Sequence, residues 1–139
     1  PRPQMSGIKG KVISCKGLRN ADWFGGKSDP YVRVAMKKDG EVLGEMKTST
    51  KTDELDPTWE DENFSFSHED ALDCVLEFKV MDTGMGPDEQ LGEAVLPVKV
   101  IPFVDEHVVF QLSLGIAKKK ALGTITVAMG VMPKAGLFG

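Results

Sequence analysis

Gly26-Lys27-Ser28-Asp29-Pro30-Tyr31-Val32-Arg33-Val34-Ala35-Met36 decides between two folds. Its first three residues read as the end of G-x-x-x-x-G-K-S, the glycine-rich loop that cradles a phosphate and then opens a helix. Here Asp29-Pro30 follows Ser28 instead. Tyr31 to Met36 then alternates with period two and is rich in β-branched and aromatic residues, which predicts a strand. The first glycine of the pattern would fall at Ala21, where a Cβ hinders the backbone cradle. Lys9 to Lys16, the segment that should be a buried parallel strand, is half polar. The loop is therefore no nucleotide site, and the chain passes through it into a β-structure.

The same short alternation recurs along the 139 residues, and no window holds a 3.6-residue apolar period. Strands are predicted near residues 7–15, 31–38, 41–51, 59–67, 75–82, 91–98, 108–114 and 123–132. Asp39-Gly40 marks a two-residue hairpin turn between the second and third. Eight strands in two packed antiparallel sheets make an all-β sandwich with loops gathered at each end. One domain is expected over residues 7–132. Residues 1–6 read as a linker or remnant and residues 133–139 as a tail.

Composition bounds the function. No run approaches the ~18 apolar residues of a membrane helix. Cys15 and Cys74, both in strand-like runs, predict two buried free thiols in a reducing, cytoplasmic setting. The net charge of −4 conceals a segregation. Residues 1–52 hold 11 basic against 5 acidic side chains, residues 53–114 hold 2 against 16, and the remainder holds 4 basic and none acidic. Such asymmetry makes opposed surface patches, which bears on partners more than on fold. Lys118-Lys119-Lys120 adds a small basic cluster. Neither GxSxG nor HExxH occurs, and His68 and His107 have no nucleophile or metal-ligand spacing around them, so no enzyme is expected. Asp53 to Glu62 lacks the glycine of an EF-hand, and the acidic middle argues against nucleic acid.

Two loops carry the chemistry. The first holds Asp22 and Asp29, and the second runs Asp82-Thr83-Gly84-Met85-Gly86-Pro87-Asp88-Glu89. Carboxylates converging from separate loops repel one another unless a cation neutralises them, and calcium accepts 6–8 hard oxygens. Taken singly, Asp29 also suits a turn cap before Pro30, and Asp82 an Asx-turn at a strand end. Trp23 and Phe24 sit beside Asp22 with Met85 in the facing loop, large apolar side chains, one with a polar indole N–H, suited to the headgroup boundary of a bilayer. Strand alternation puts Lys47 and Lys51 on one face and Arg33 and Lys37 on one face of the neighbour, a candidate basic patch on the sheet surface.

Gly17-Leu18, the Gly26 to Val34 segment, Leu55-Asp56-Pro57-Thr58-Trp59-Glu60, Phe64-Ser65-Phe66, Phe78-Lys79-Val80-Met81-Asp82 and Gln90-Leu91-Gly92-Glu93-Ala94 occur in the order found in C2 domains. The chain closely resembles that family over about residues 8–130. The resemblance implies an eight-stranded antiparallel sandwich whose tip loops bind calcium and anionic membranes. One strand before the first tip loop and one left at the C-terminus resemble the type II topology. Carried over, the resemblance makes Asp22, Asp29 and Asp82 calcium ligands, with Asp88 and Glu89 near the position of a further one. Gly84 stands where the family usually has a second Asp, which implies one weak ion rather than two. The function this predicts is a peripheral membrane-targeting module for anionic phospholipid. The alternative is a calcium-independent scaffold for protein partners.

Overall fold

The computed structural model describes residues 5–21, 26–84, 86–102, 108–116 and 119–133. Their strands are β1 (Met5–Lys16), β2 (Pro30–Lys38), β3 (Glu41–Lys47), β4 (Asn63–Ser67), β5 (Val75–Asp82), β6 (Glu89–Pro97), β7 (Val108–Ile116) and β8 (Lys119–Pro133). The ladder order is β3-β2-β5-β6-β7-β8-β1-β4, antiparallel throughout. β6 and β7 share a single pair, Glu93 opposite Gly115, so the ladder divides there into halves whose apolar faces pack together.

Period-two patterning explains the core. Leu76, Phe78 and Val80 are buried on β5 while the residues between them are half-exposed. Phe64 and Phe66 alternate on β4 with exposed Asn63, Ser65 and Ser67. Phe78, from one half, meets Phe64, from the other, edge to face with 6.2 Å between ring centres. Burying each such side chain stabilises by about 1.5–3 kcal/mol. The β2–β3 hairpin forms at the predicted place, with Asp39 and Gly40 both at positive φ (50° and 82°), the turn whose twist matches a hairpin.

Two strand bounds differ from expectation. β3 stops at Lys47, short of Lys51, because the Thr48 hydroxyl accepts a hydrogen bond from the Val32 backbone N–H and donates to the Ser49 carbonyl. β4 starts at Asn63, because Trp59 is buried without being in a strand. Its backbone N–H donates to the Ile13 carbonyl and its indole N–H to the Ser49 carbonyl at 2.8 Å. The segment between is a long tethered loop whose local alternation only resembles two strands.

Pairing sets the functional end. Pro30 lies opposite Asp82, Asp82 opposite Glu89, and Arg33 opposite Lys47. The start of β2, the ends of β3 and β5 and the start of β6 therefore coincide. Loop 1 (residues 17–29), loop 2 (residues 48–62) and loop 3 (residues 83–88) gather at that tip.

Candidate functional site at the loop tip

Asp29 ties the three loops together. Its backbone N–H donates to Asp82 Oδ1 at 2.8 Å, and its carbonyl accepts from Thr83 N–H, so loops 1 and 3 are joined. Its own Oδ1 accepts from Asp53 N–H at 2.7 Å, which brings in loop 2. Asp53 Oδ1 in turn accepts from Lys27 N–H, and Ser28 C=O accepts from Glu54 N–H. Next to Asp29, buried Ser28 accepts from Ala21 N–H and donates to the Arg19 carbonyl, fixing the stem of loop 1. Proline after Asp29 suits this place, since Pro30 starts β2.

The tip therefore presents carboxylates of Asp29 from loop 1, Asp53 from loop 2 and Asp82 from the end of β5, with one oxygen of each holding a backbone N–H. Asp53 was absent from the sequence-derived ligand set. Only the register of the loops reveals it, since its sequence signal is a general acidic stretch. Asp82 is nearly buried, at 9% exposure, which makes an added cation more effective at that carboxylate than at a solvated one.

Asp88 and Glu89 are engaged elsewhere. Asp88 Oδ2 accepts the Tyr31 hydroxyl at 2.5 Å, and burial together with this carboxylate raises the Tyr31 pKa. Arg19 lies 3.7 Å from Glu89 and donates to the Gln90 carbonyl at 2.9 Å, so a guanidinium already clasps loop 1 to the start of β6. Among the described residues no group of three or more His, Cys, Asp or Glu side chains is arranged to hold a metal ion. Asp22, Trp23, Phe24 and Met85 lie outside the described residues. Asp29 and Asp82 are joined by a hydrogen bond and offer the hard oxygens that calcium takes, as do Asp88 and Glu89, which also meet Tyr31 and Arg19. Gly84 is exposed, and a Cβ built on it meets nothing within 4 Å.

The predicted basic patch assembles in part. Arg33 lies opposite Lys47 on one side and Lys79 on the other, a row of three cations across β3, β2 and β5. Lys47 also stands over the Tyr31 ring, 5.8 Å from its centre. The adjacent row is acidic, so Arg33 pairs with Glu45 at 3.4 Å and Lys37 with Glu77 at 3.3 Å, and Glu77 also takes Lys79. Lys51 sits in loop 2, its N–H on the Pro30 carbonyl, and not on the strand face expected for it.

An antiparallel sandwich with three interlocked acidic loops at one end defines the class. The sequence matches the family model of the C2 domain over residues 7–114, and the chain belongs to that family. Its β1 enters the first tip loop and its C-terminal β8 pairs beside β1, the permutation expected of type II. It is 40% identical over 106 residues to synaptotagmin-1 of Arabidopsis thaliana, covering 75% of this chain and 18% of that protein. It is 30% identical over 122 residues to a calcium-dependent lipid-binding protein of the same plant, covering 84% and 23%. The chain thus spans about a fifth of the length of these curated relatives. A solved C2 domain of plant extended synaptotagmin 1, the one designated A, superposes with a TM-score of 0.82 at 34% identity, covering 97% of this chain and 99% of that one.

Proposed function

We propose that this C2 domain is a peripheral membrane-targeting module, without catalytic activity of its own, that docks on anionic phospholipid through its loop tip. The observation that carries this reading is the tie of three acidic loops through Asp29, with Trp23 and Phe24 in the sequence of the first. Apolar side chains at such a tip gain roughly 1.5–3 kcal/mol each when fully buried. The names of its relatives, synaptotagmins and a calcium-dependent lipid-binding protein, agree with it.

Calcium enters this proposal as a single weakly held ion. Asp29 and Asp82, with Asp22 by family resemblance, would hold it, and Asp53 N–H already fixes the Asp29 carboxylate. When bound, the ion neutralises the acidic tip and links it to lipid phosphate. The chain's own groups preorganise the loops for it. The Lys47, Arg33 and Lys79 row adds electrostatic attraction beside the tip, moderated by Glu45 and Glu77. Two buried free thiols, Cys15 and Cys74, suit a reducing compartment, and we place the domain at cytoplasmic faces of membranes.

Sedimentation with phosphatidylserine-containing and with pure phosphatidylcholine vesicles, in calcium and in chelator, tests the reading. Binding to the anionic vesicles, stronger in calcium, is expected. Absence of binding in both conditions removes it. A calcium-independent protein scaffold is the second reading, favoured by Arg19 and Tyr31, which hold Glu89 and Asp88 without any ion. Partner capture that survives Asp29→Ala with Trp23→Ala would support that scaffold.

A further inference from the structure

The two halves of the sandwich differ sharply in charge. β2, β3, β5 and β6 mix both signs, whereas β1, β4, β7 and β8 together contain lysines and no Asp or Glu at all. Lys9, Lys11 and Lys16 are exposed on β1 and face outward together. That arrangement depends on a bulge. β1 carries one extra residue between Val12 and Ser14, and without it the period-two alternation would turn Lys16 toward the core.

Opposite these lysines stand small or neutral residues. Lys9 lies across from Gly130 and Ser65, Lys11 from Ala128 and Asn63, and Lys16 from Thr124. None of the ion pairs among the described residues involves Lys9, Lys11 or Lys16. On the opposite sheet Arg33, Lys37 and Lys79 are all paired. Three exposed apolar side chains belong to the lysine-bearing sheet, Val108 and Val109 on β7 and Leu122 near the loop end of β8, at 38%, 60% and 62% exposure.

We propose that the domain, its tip engaged on a bilayer, leans onto the outer face of β4-β1-β8-β7, with Lys16, Lys11 and Lys9 contacting anionic headgroups. The inference rests on the membrane reading above and specifies which face turns to the leaflet. Lys16 is the last residue of β1 and adjoins loop 1, and Lys9 lies seven residues, roughly 23 Å, further from the tip. A lean thus engages the lysines in succession. Charge complementarity selects an anionic surface, since the four strands of this face carry lysines and no carboxylate of their own, although Asp56 of loop 2 holds the Gly17 N–H beside Lys16, and exposed Val109 and Leu122 suit an interfacial contact. Beside the lysines, a groove of about 410 Å³ lined by Lys9, Gly10, Lys11, Asn63, Phe64 and Ser65 offers room for one headgroup.

The test compares the whole chain with the triple variant Lys9→Ala, Lys11→Ala, Lys16→Ala and with Arg33→Ala, Lys47→Ala on phosphatidylcholine/phosphatidylserine vesicles, in calcium and in chelator. Each lysine is expected to contribute roughly fivefold, so the triple variant loses on the order of a hundredfold in affinity. The Arg33/Lys47 variant loses less. Replacing the three lysines by arginine retains binding, which separates charge from any loss of folding, and thermal melts of all variants check the fold. Triple-variant binding equal to wild type, on vesicles the wild type does bind, overturns the inference alone and leaves the face to an acidic protein. Failure of the wild type on every anionic vesicle overturns both this inference and the membrane reading.

Discussion

The backbone N–H of Asp29 donates to the carboxylate of Asp82 at 2.8 Å, across 53 residues of sequence. One loop is thereby built on the acid of another. The same residue's Oδ1 receives Asp53 N–H, so its side chain has a structural role before any ion arrives. These two roles separate by mutation. Asp29→Asn keeps an oxygen for Asp53 N–H and costs little, whereas Asp29→Ala, which hands that exposed N–H to water, costs about 0.5–1.5 kcal/mol. Both variants lose the response to calcium. Urea unfolding, read beside calcium titration, checks the split.

Gly84 is the point at which this tip can be strengthened. It is exposed and has open space where a Cβ would stand. Gly84→Asp supplies another carboxylate beside Asp82 without a clash, and affinity follows the charge count of the ligands. Calcium affinity measured by calorimetry should rise roughly tenfold or more. An unchanged affinity would show that Asp82 and its neighbours do not form the calcium site.

Tyr31→Phe removes the hydroxyl that donates to Asp88. The variant should lose about 1–3 kcal/mol in urea unfolding, as expected for a hydrogen bond to a charged group. It also releases Asp88 to bind cations, so the double variant with Asp88→Asn should show no further loss of stability.

Burial pushes the Cys15 thiol up to about 12 from an ordinary value of 9.0. Between those values the unfolded thiol ionises while the folded one keeps its proton. The folded state then binds more protons, and stability falls as pH rises through the window, by up to about 4 kcal/mol, while below it the stability is fully retained. Cys15→Ala removes this contribution, so its unfolding free energy should decline less between about pH 8 and about pH 11 than that of the wild type.

The sandwich was legible because its signal is local. Phe64 and Phe66, or Leu76, Phe78 and Val80, announce a buried face by alternation alone, and Asp39-Gly40 announces its hairpin. The limits of that signal are physical. Thr48 and Trp59 continue the alternation past the strands because loop 2 is held by side chains, which period-two reading does not register. Asp29 and Asp82 stood out through the C2 pattern, but Asp53 reaches Asp29 only by the register of loop 2 on β2. Arg33 and Lys37 looked like a basic patch because their partners Glu45 and Glu77 lie on neighbouring strands, and only the strand register shows which acids face them. The alignment of Lys16 with Lys9 and Lys11 likewise required a bulge that no composition reveals.

Tryptophan emission gives the most direct measurement of the central claim. The chain has two tryptophans, and Trp59 is buried with its indole N–H on the Ser49 carbonyl, so quenching by lipid reports on Trp23. With anionic vesicles carrying brominated acyl chains, the emission should be quenched, more in calcium than in chelator, and the quenching should vanish in Trp23→Phe. Vesicle-bound protein whose emission is unquenched in both conditions would contradict a tip that enters the bilayer.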